Sequence, residues 1–175
     1  MSLDTLAEAA PRTYRPLPEL TRPTPSGLAE IVRVLAQRAD LWRSLLHHDT
    51  ERRGYVRLAG GEGWEAWLLT WLPGQTTGLH DHGPSAGAFT VLLGEVVELT
   101  PTTGRDGRVT LHRRPLAVDA LRSFGPNYVH DVAGAGDGPA ATLHAYGPAL
   151  SEMNRFELDA GRLRLVRTDR AGEDW

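Results

Sequence analysis

The sequence contains no cysteine and no lysine; all 19 of its basic residues are arginine. Without cysteine there is no disulfide, zinc knuckle, iron–sulfur cluster or thiol nucleophile. Without lysine there is no Schiff-base chemistry and no phosphate-gripping Walker A lysine. Any bound metal must be held by histidine, carboxylate or backbone oxygen. A basic face is missing too: 19 arginines stand against 22 acids, a net charge of −3, which argues against nucleic acid or an anionic membrane as partner. Nor is there a run of the roughly 18–20 apolar residues that cross a bilayer. The opening Met-Ser-Leu-Asp-Thr-Leu-Ala-Glu carries acid where a secretory signal carries base. The expectation is a cytoplasmic protein.

What is present is an ordinary globular composition, 41% hydrophobic and 23% charged over 175 residues, enough for one domain with its own core. The first 26 residues hold Pro11, Pro16, Pro18, Pro23 and Pro25 and read as an extended arm. Over 27–48, Leu28, Ile31, Val32, Leu35, Leu41, Leu45 and Leu46 recur at helical spacing, with Ser26 as N-cap and a break near Asp40. Residues 1–52 are therefore expected to form a proline-rich arm and a helical cap. Residues 53–175 show short apolar runs at 55–58, 64–72, 88–99, 108–112, 128–132, 140–146 and 162–166, broken by Gly, Pro, Asn and Asp. That texture predicts an all-β sandwich or barrel, joined to the cap in a single domain.

Seven histidines are present. In a strand, residues i and i+2 share a face, so His80 and His82 converge if that face lines a barrel interior, while Asp81 points away. Two imidazoles at one point suit a borderline transition metal. Alone, such a pair more often marks an exposed strand. Its surroundings, Gly74-x5-His80-x-His82-x4-Gly87-x6-Gly94, resemble the first signature of the cupin superfamily, with glycine where that signature has glutamate. The segment Gly125-Pro126-Asn127-Tyr128-Val129-His130 resembles the second signature more loosely. The fold this implies is an all-β cupin, a small β-barrel or jelly roll, behind an N-terminal helical segment.

Four motifs in order, Tyr55-Val56-Arg57, Leu79-His80-Asp81-His82, Asn127-Tyr128-Val129-His130 and Thr142-Leu143-His144-Ala145-Tyr146-Gly147-Pro148, resemble those of the cysteine dioxygenase family of thiol dioxygenases, over roughly residues 55–156. The likeness is to bacterial members that carry arginine at the substrate position. It implies His80, His82 and His130 as ligands of Fe(II), Arg57 as receiver of the substrate carboxylate and Tyr55 as its pocket neighbour. It further implies Tyr146 as the active-site phenol, with His144 and Thr142 as the hydrogen-bonded relay behind it. Gly87 matches the position where animal members carry the cysteine that cross-links to the tyrosine, so Tyr146 here acts unmodified. His47, His48 and His112 are given no chemistry, and Trp64, Trp67 and Trp71 read as barrel core.

The expected activity is oxidation of L-cysteine to cysteine sulfinic acid by O2 in a monomeric enzyme. 3-Mercaptopropionate is the alternative substrate, although enzymes acting on it resemble this family with glutamine where Arg57 stands. A non-catalytic metal- or ligand-binding cupin and a three-histidine oxygenase of carbon substrates such as β-diketones are the rivals.

Overall fold

The computed structural model describes residue 16 and residues 23–171; the rest of the expected proline-rich arm lies outside the described residues. The chain enters with helix α1 (Pro25–Ala36) and a single turn α2 (Ala39–Trp42), followed by a 3-10 turn at Arg43–Leu45. Proline at the first helical position costs no hydrogen bond there. The N-cap is Thr24 and not Ser26: its Oγ1 accepts from the Gly27 N–H at 3.2 Å. Leu28, Ile31, Val32 and Leu35 form one fully buried stripe, each worth about 1.5–3 kcal/mol of apolar burial.

Ten strands follow: β1 (Gly54–Gly61), β2 (Trp64–Trp71), β3 (Ala86–Leu93), β4 (Glu95–Thr103), β5 (Val109–Leu116), β6 (Leu121–Phe124), β7 (Asp131–Ala135), β8 (Ala140–Gly147), β9 (Glu152–Asp159) and β10 (Arg162–Arg170). The apolar run 88–99 is two strands because Gly94, at φ +66°, turns the chain where a side chain would meet the carbonyl of Pro139. Strands β6 and β9 carry no apolar run in the sequence. Among the described residues no helix is long and apolar enough to cross a membrane.

The strands form a five-stranded sheet, β1-β2-β8-β3-β6, a three-stranded sheet, β5-β4-β7, and the hairpin β9-β10. Helix α1 packs on one face of the larger sheet, against Ala66, Ala86, Ala88, Leu143 and Ala145. The other face meets the smaller sheet through Trp71, Phe89, Val91, Val96, Leu116 and Val132. This is the all-β architecture of a cupin, with its helical cap sealing the outer face. At one end, residues 76–81 thread between β7 and β9: His80 exchanges backbone hydrogen bonds with His130, and Asp81 N–H donates to the Asn154 carbonyl at 3.0 Å.

Candidate metal centre

Across β8 the side-chain period of two puts Thr142, His144 and Tyr146 on the inner face, all buried. His80 and His82 reach the same interior by a different route from the one their spacing suggested. His80 sits in an isolated bridge to His130 and His82 lies in the loop before β3. No regular strand carries the pair. Convergence survives nonetheless: one nitrogen each from His80, His82 and His130 lie within 4.8 Å of one another. Asp81 points away, its Oδ1 accepting from the Gly83 N–H and from Asn154 Nδ2, both at 2.9 Å.

Hydrogen bonds occupy one nitrogen on two of the three rings and leave the other nitrogen of each unclaimed. His80 Nδ1 donates to the Gly78 carbonyl at 2.8 Å, and His130 Nδ1 donates to Glu98 Oε1 at 3.1 Å, which leaves Nε2 of each ring unclaimed. His82 is buried with neither ring nitrogen hydrogen-bonded. Burial pushes His80, His82 and His144 well below the ordinary histidine value, and repulsion from neighbouring histidines adds to it. Neutral rings with inward lone pairs are what a divalent metal requires. An orphaned buried imidazole otherwise wastes hydrogen bonds worth about 1–3 kcal/mol, so the donor set fits a metal ion.

Behind His130 stands a polar network that the motifs did not reveal. Glu98 is fully buried on β4, and it also accepts from Arg122 Nε at 2.7 Å and from the Tyr128 hydroxyl at 3.3 Å. Burial pushes the Glu98 carboxyl up, but the hydrogen bonds from His130 and Arg122 outweigh it and hold it below its ordinary value. A carboxylate on the far nitrogen fixes the histidine's tautomer and sharpens it as a ligand. The signal was present in the strand period: Glu98 shares a face with Val96, which is fully buried.

The triad lines a cavity of about 200 Å3, below the roughly 300–1,000 Å3 of pockets that hold drug-sized ligands. Tyr55, Glu65, Trp67, Leu69 and Tyr146 contribute to its wall. Trp67 both lines the cavity and packs against the core, with its indole nitrogen buried and unpartnered, and Trp64 and Trp71 are core as expected. The relay is assembled: Tyr146 Oη and His144 Nδ1 are 3.2 Å apart, His144 Nε2 and Thr142 Oγ1 2.8 Å, and Trp71 Nε1 donates to Thr142 Oγ1 at 2.9 Å. Burial pushes the Tyr146 phenol well up, so it stays protonated at neutral pH.

Tyr55 lines the cavity; Arg57 does not. The Arg57 Nε turns to Glu65 Oε2 at 3.4 Å and its side chain is 57% exposed. The arginine that lines the cavity is Arg53, immediately before β1. It is one of 19 arginines and belongs to none of the motifs, so nothing in the sequence singled it out.

A family model for cysteine dioxygenase type I matches residues 15–159. The chain belongs to the cysteine dioxygenase type I family. No curated protein matches it. Its fold is similar to that of TT1209 from Thermus thermophilus, at 21% identity over 61% of this chain and 93% of that one, TM-score 0.49. It is also similar to a cupin superfamily protein from Desulfitobacterium hafniense, at 18% identity over 78% and 98%, TM-score 0.47. A third likeness is to an RmlC-like cupin from Desulfovibrio desulfuricans, at 19% identity over 59% and 90%, TM-score 0.49. In this cysteine dioxygenase type I chain, Gly87 faces Tyr146 across β3 and β8, and a Cβ on Gly87 would run into the Phe124 ring. Phe124, stacked at 5.6 Å on His82, fills the space a cysteine side chain would need.

Proposed function

We propose that this protein is an iron(II) thiol dioxygenase that adds both atoms of O2 to the sulfur of a small carboxylate-bearing thiol, L-cysteine foremost, giving the sulfinic acid. The observation that carries this reading is the buried triad of convergent histidines, set beside Tyr146 and His144 in a cavity sized for a small molecule. His80, His82 and His130 would hold the metal, and iron when bound would supply the redox chemistry by which O2 reacts with a thiolate.

The chain's own part is placement and hydrogen bonding. Trp71 donates to Thr142 Oγ1, and the Thr142 hydroxyl can in turn donate to His144 Nε2. His144, neutral, then presents Nδ1–H to the Tyr146 oxygen. That tautomer frees the Tyr146 O–H to donate into the cavity, where it steadies negative charge developing on oxygen or sulfur. The apolar wall of Leu69, Val132, Leu150 and Met153 excludes water from the reacting atoms.

The test is anaerobic loading with Fe(II), followed by O2 uptake with L-cysteine and with 3-mercaptopropionate and mass analysis of the product. Uptake with a product heavier by two oxygen atoms is the expected result. Iron bound without uptake on either thiol would overturn it in favour of a non-catalytic cupin or a carbon-directed oxygenase.

A further inference from the structure

Resting on the thiol dioxygenase reading, we propose that Glu65 recognises the amino group of the substrate, so that the cavity favours short aminothiols over thiols without an amino group. The strand period sends Glu65 inward: on β2 it stands opposite Gly60 of β1 and Tyr146 of β8, while its neighbour Ala66 packs under α1. Its side chain is only 10% exposed, yet it lines the metal cavity together with Tyr55 and Tyr146. Among the described residues it is the only acid in that wall. Burial pushes the Tyr146 phenol up and the charge of Glu65 adds to it, so the acid and the phenol act on the same space.

The partners that the chain itself supplies do not use up this carboxylate. Oε1 accepts from the Leu150 N–H at 2.9 Å, and Oε2 stands 3.4 Å from Arg57 Nε, which is long for a charge-assisted hydrogen bond. The Arg57 side chain is 57% exposed, and so wet a cation contributes little to an ion pair. An ionised carboxylate accepts at about four lone-pair sites, so two partners leave capacity for further donors. A nearly buried acid with spare acceptors, lining a cavity, calls for a cationic donor from the ligand. Leu69, Val132, Leu150 and Met153 in the same wall offer a cation nothing. The ligand class this selects is a short thiol bearing an ammonium group; L-cysteine and cysteamine belong to it, and 3-mercaptopropionate does not.

The experiment compares wild-type, Glu65→Gln and Glu65→Asp holoenzymes on L-cysteine and on 3-mercaptopropionate, which keeps the thiol and carboxylate and lacks the amino group. Metal content and circular dichroism serve as folding controls. Glu65→Gln keeps the size of the side chain and an acceptor for the Leu150 N–H. It should raise KM for L-cysteine about 10- to 100-fold, the loss expected for one charged hydrogen bond. KM for 3-mercaptopropionate should rise by less than about threefold, or fall, because a negative charge leaves the wall. Glu65→Asp, which keeps the charge, should lie between wild type and Glu65→Gln on L-cysteine. Anaerobic titration of the iron-loaded protein with each thiol, read by tryptophan fluorescence, gives the same ratio without turnover. A preference for L-cysteine that is unchanged in Glu65→Gln would overturn the proposal and place the amino group elsewhere in the cavity. Equal losses on both thiols would also overturn it, since they mark a residue that only holds Leu150 in place. Wild-type protein that binds L-cysteine more tightly than 3-mercaptopropionate, loses that difference in Glu65→Gln and oxidises neither thiol would defeat the dioxygenase reading and leave the Glu65 contact standing.

Discussion

Along β8, alternate side chains live in two different worlds. Leu143 and Ala145 face α1, in a wholly apolar layer with Leu28, Ile31, Val32 and Leu35. Thr142, His144 and Tyr146 take the opposite face, the last two lining the cavity, and the side-chain polar atoms of these three answer one another. The helix side uses mostly alanine on the sheet, which lets a large helical stripe approach closely. The cavity side uses large aromatic and polar groups held at fixed separations. Because the strand period separates the two sets, stability and chemistry can be altered one at a time on adjacent residues.

The largest effect should come from cutting into the cavity side. His82→Ala leaves two ligands and should remove most bound metal, as elemental analysis of the purified protein would read; full retention would take His82 out of the centre. On the opposite face, Leu143→Ala should cost about 2–5 kcal/mol in denaturant unfolding, the usual cost of a large core truncation, with metal content unchanged. Metal loss in that variant would show the two faces to be coupled. Tyr146→Phe should leave unfolding within about 1 kcal/mol of wild type and lower thiol-driven O2 uptake about 10- to 100-fold, roughly 1.4–2.8 kcal/mol of barrier; normal, coupled turnover would make the phenol structural. A separate comparison is the pH dependence of the metal-free protein. Burial depresses His80, His82 and His144 in the folded state, so below about pH 6.5 the unfolded chain takes up protons that the folded one refuses. Stability should be fully present above that pH and fall as pH drops. The slope is at most about 1.4 kcal/mol per pH unit for each histidine. A flat profile between pH 7 and 5 would place these rings in water.

How much of this could be read from the chain depended on periodicity and local motif. The alternation Thr142, His144, Tyr146 belongs to a regular strand, so their shared face was legible from the period, while their linkage by hydrogen bonds came from the family resemblance. His80 and His82 converge although no strand holds them, because the bridge between His80 and His130 does what a strand was expected to do. Glu98 was overlooked because an acid in a strand ordinarily faces water, and only its register with buried Val96 says otherwise. No local pattern announced that Arg57 turns to Glu65, eight residues beyond it and across the β1–β2 turn. The helix stop at Ala36 and the Thr24 cap shifted by a few residues, as expected where capping is decided by one hydrogen bond. Strands β6 and β9 are short of apolar residues and exist through pairing with neighbouring strands.

The bridge between His80 and His130 has one further consequence. These residues stand 50 positions apart, and His80 is also bridged to Arg155 on β9. An ion shared by His80, His82 and His130 would fasten the loop before β3 to the start of β7. Acting on the folded chain alone, it would raise folding stability by mass action, about 2.7 kcal/mol at a hundredfold excess over its dissociation constant. The melting temperature would then report free metal concentration, and the protein's lifetime would depend on its supply.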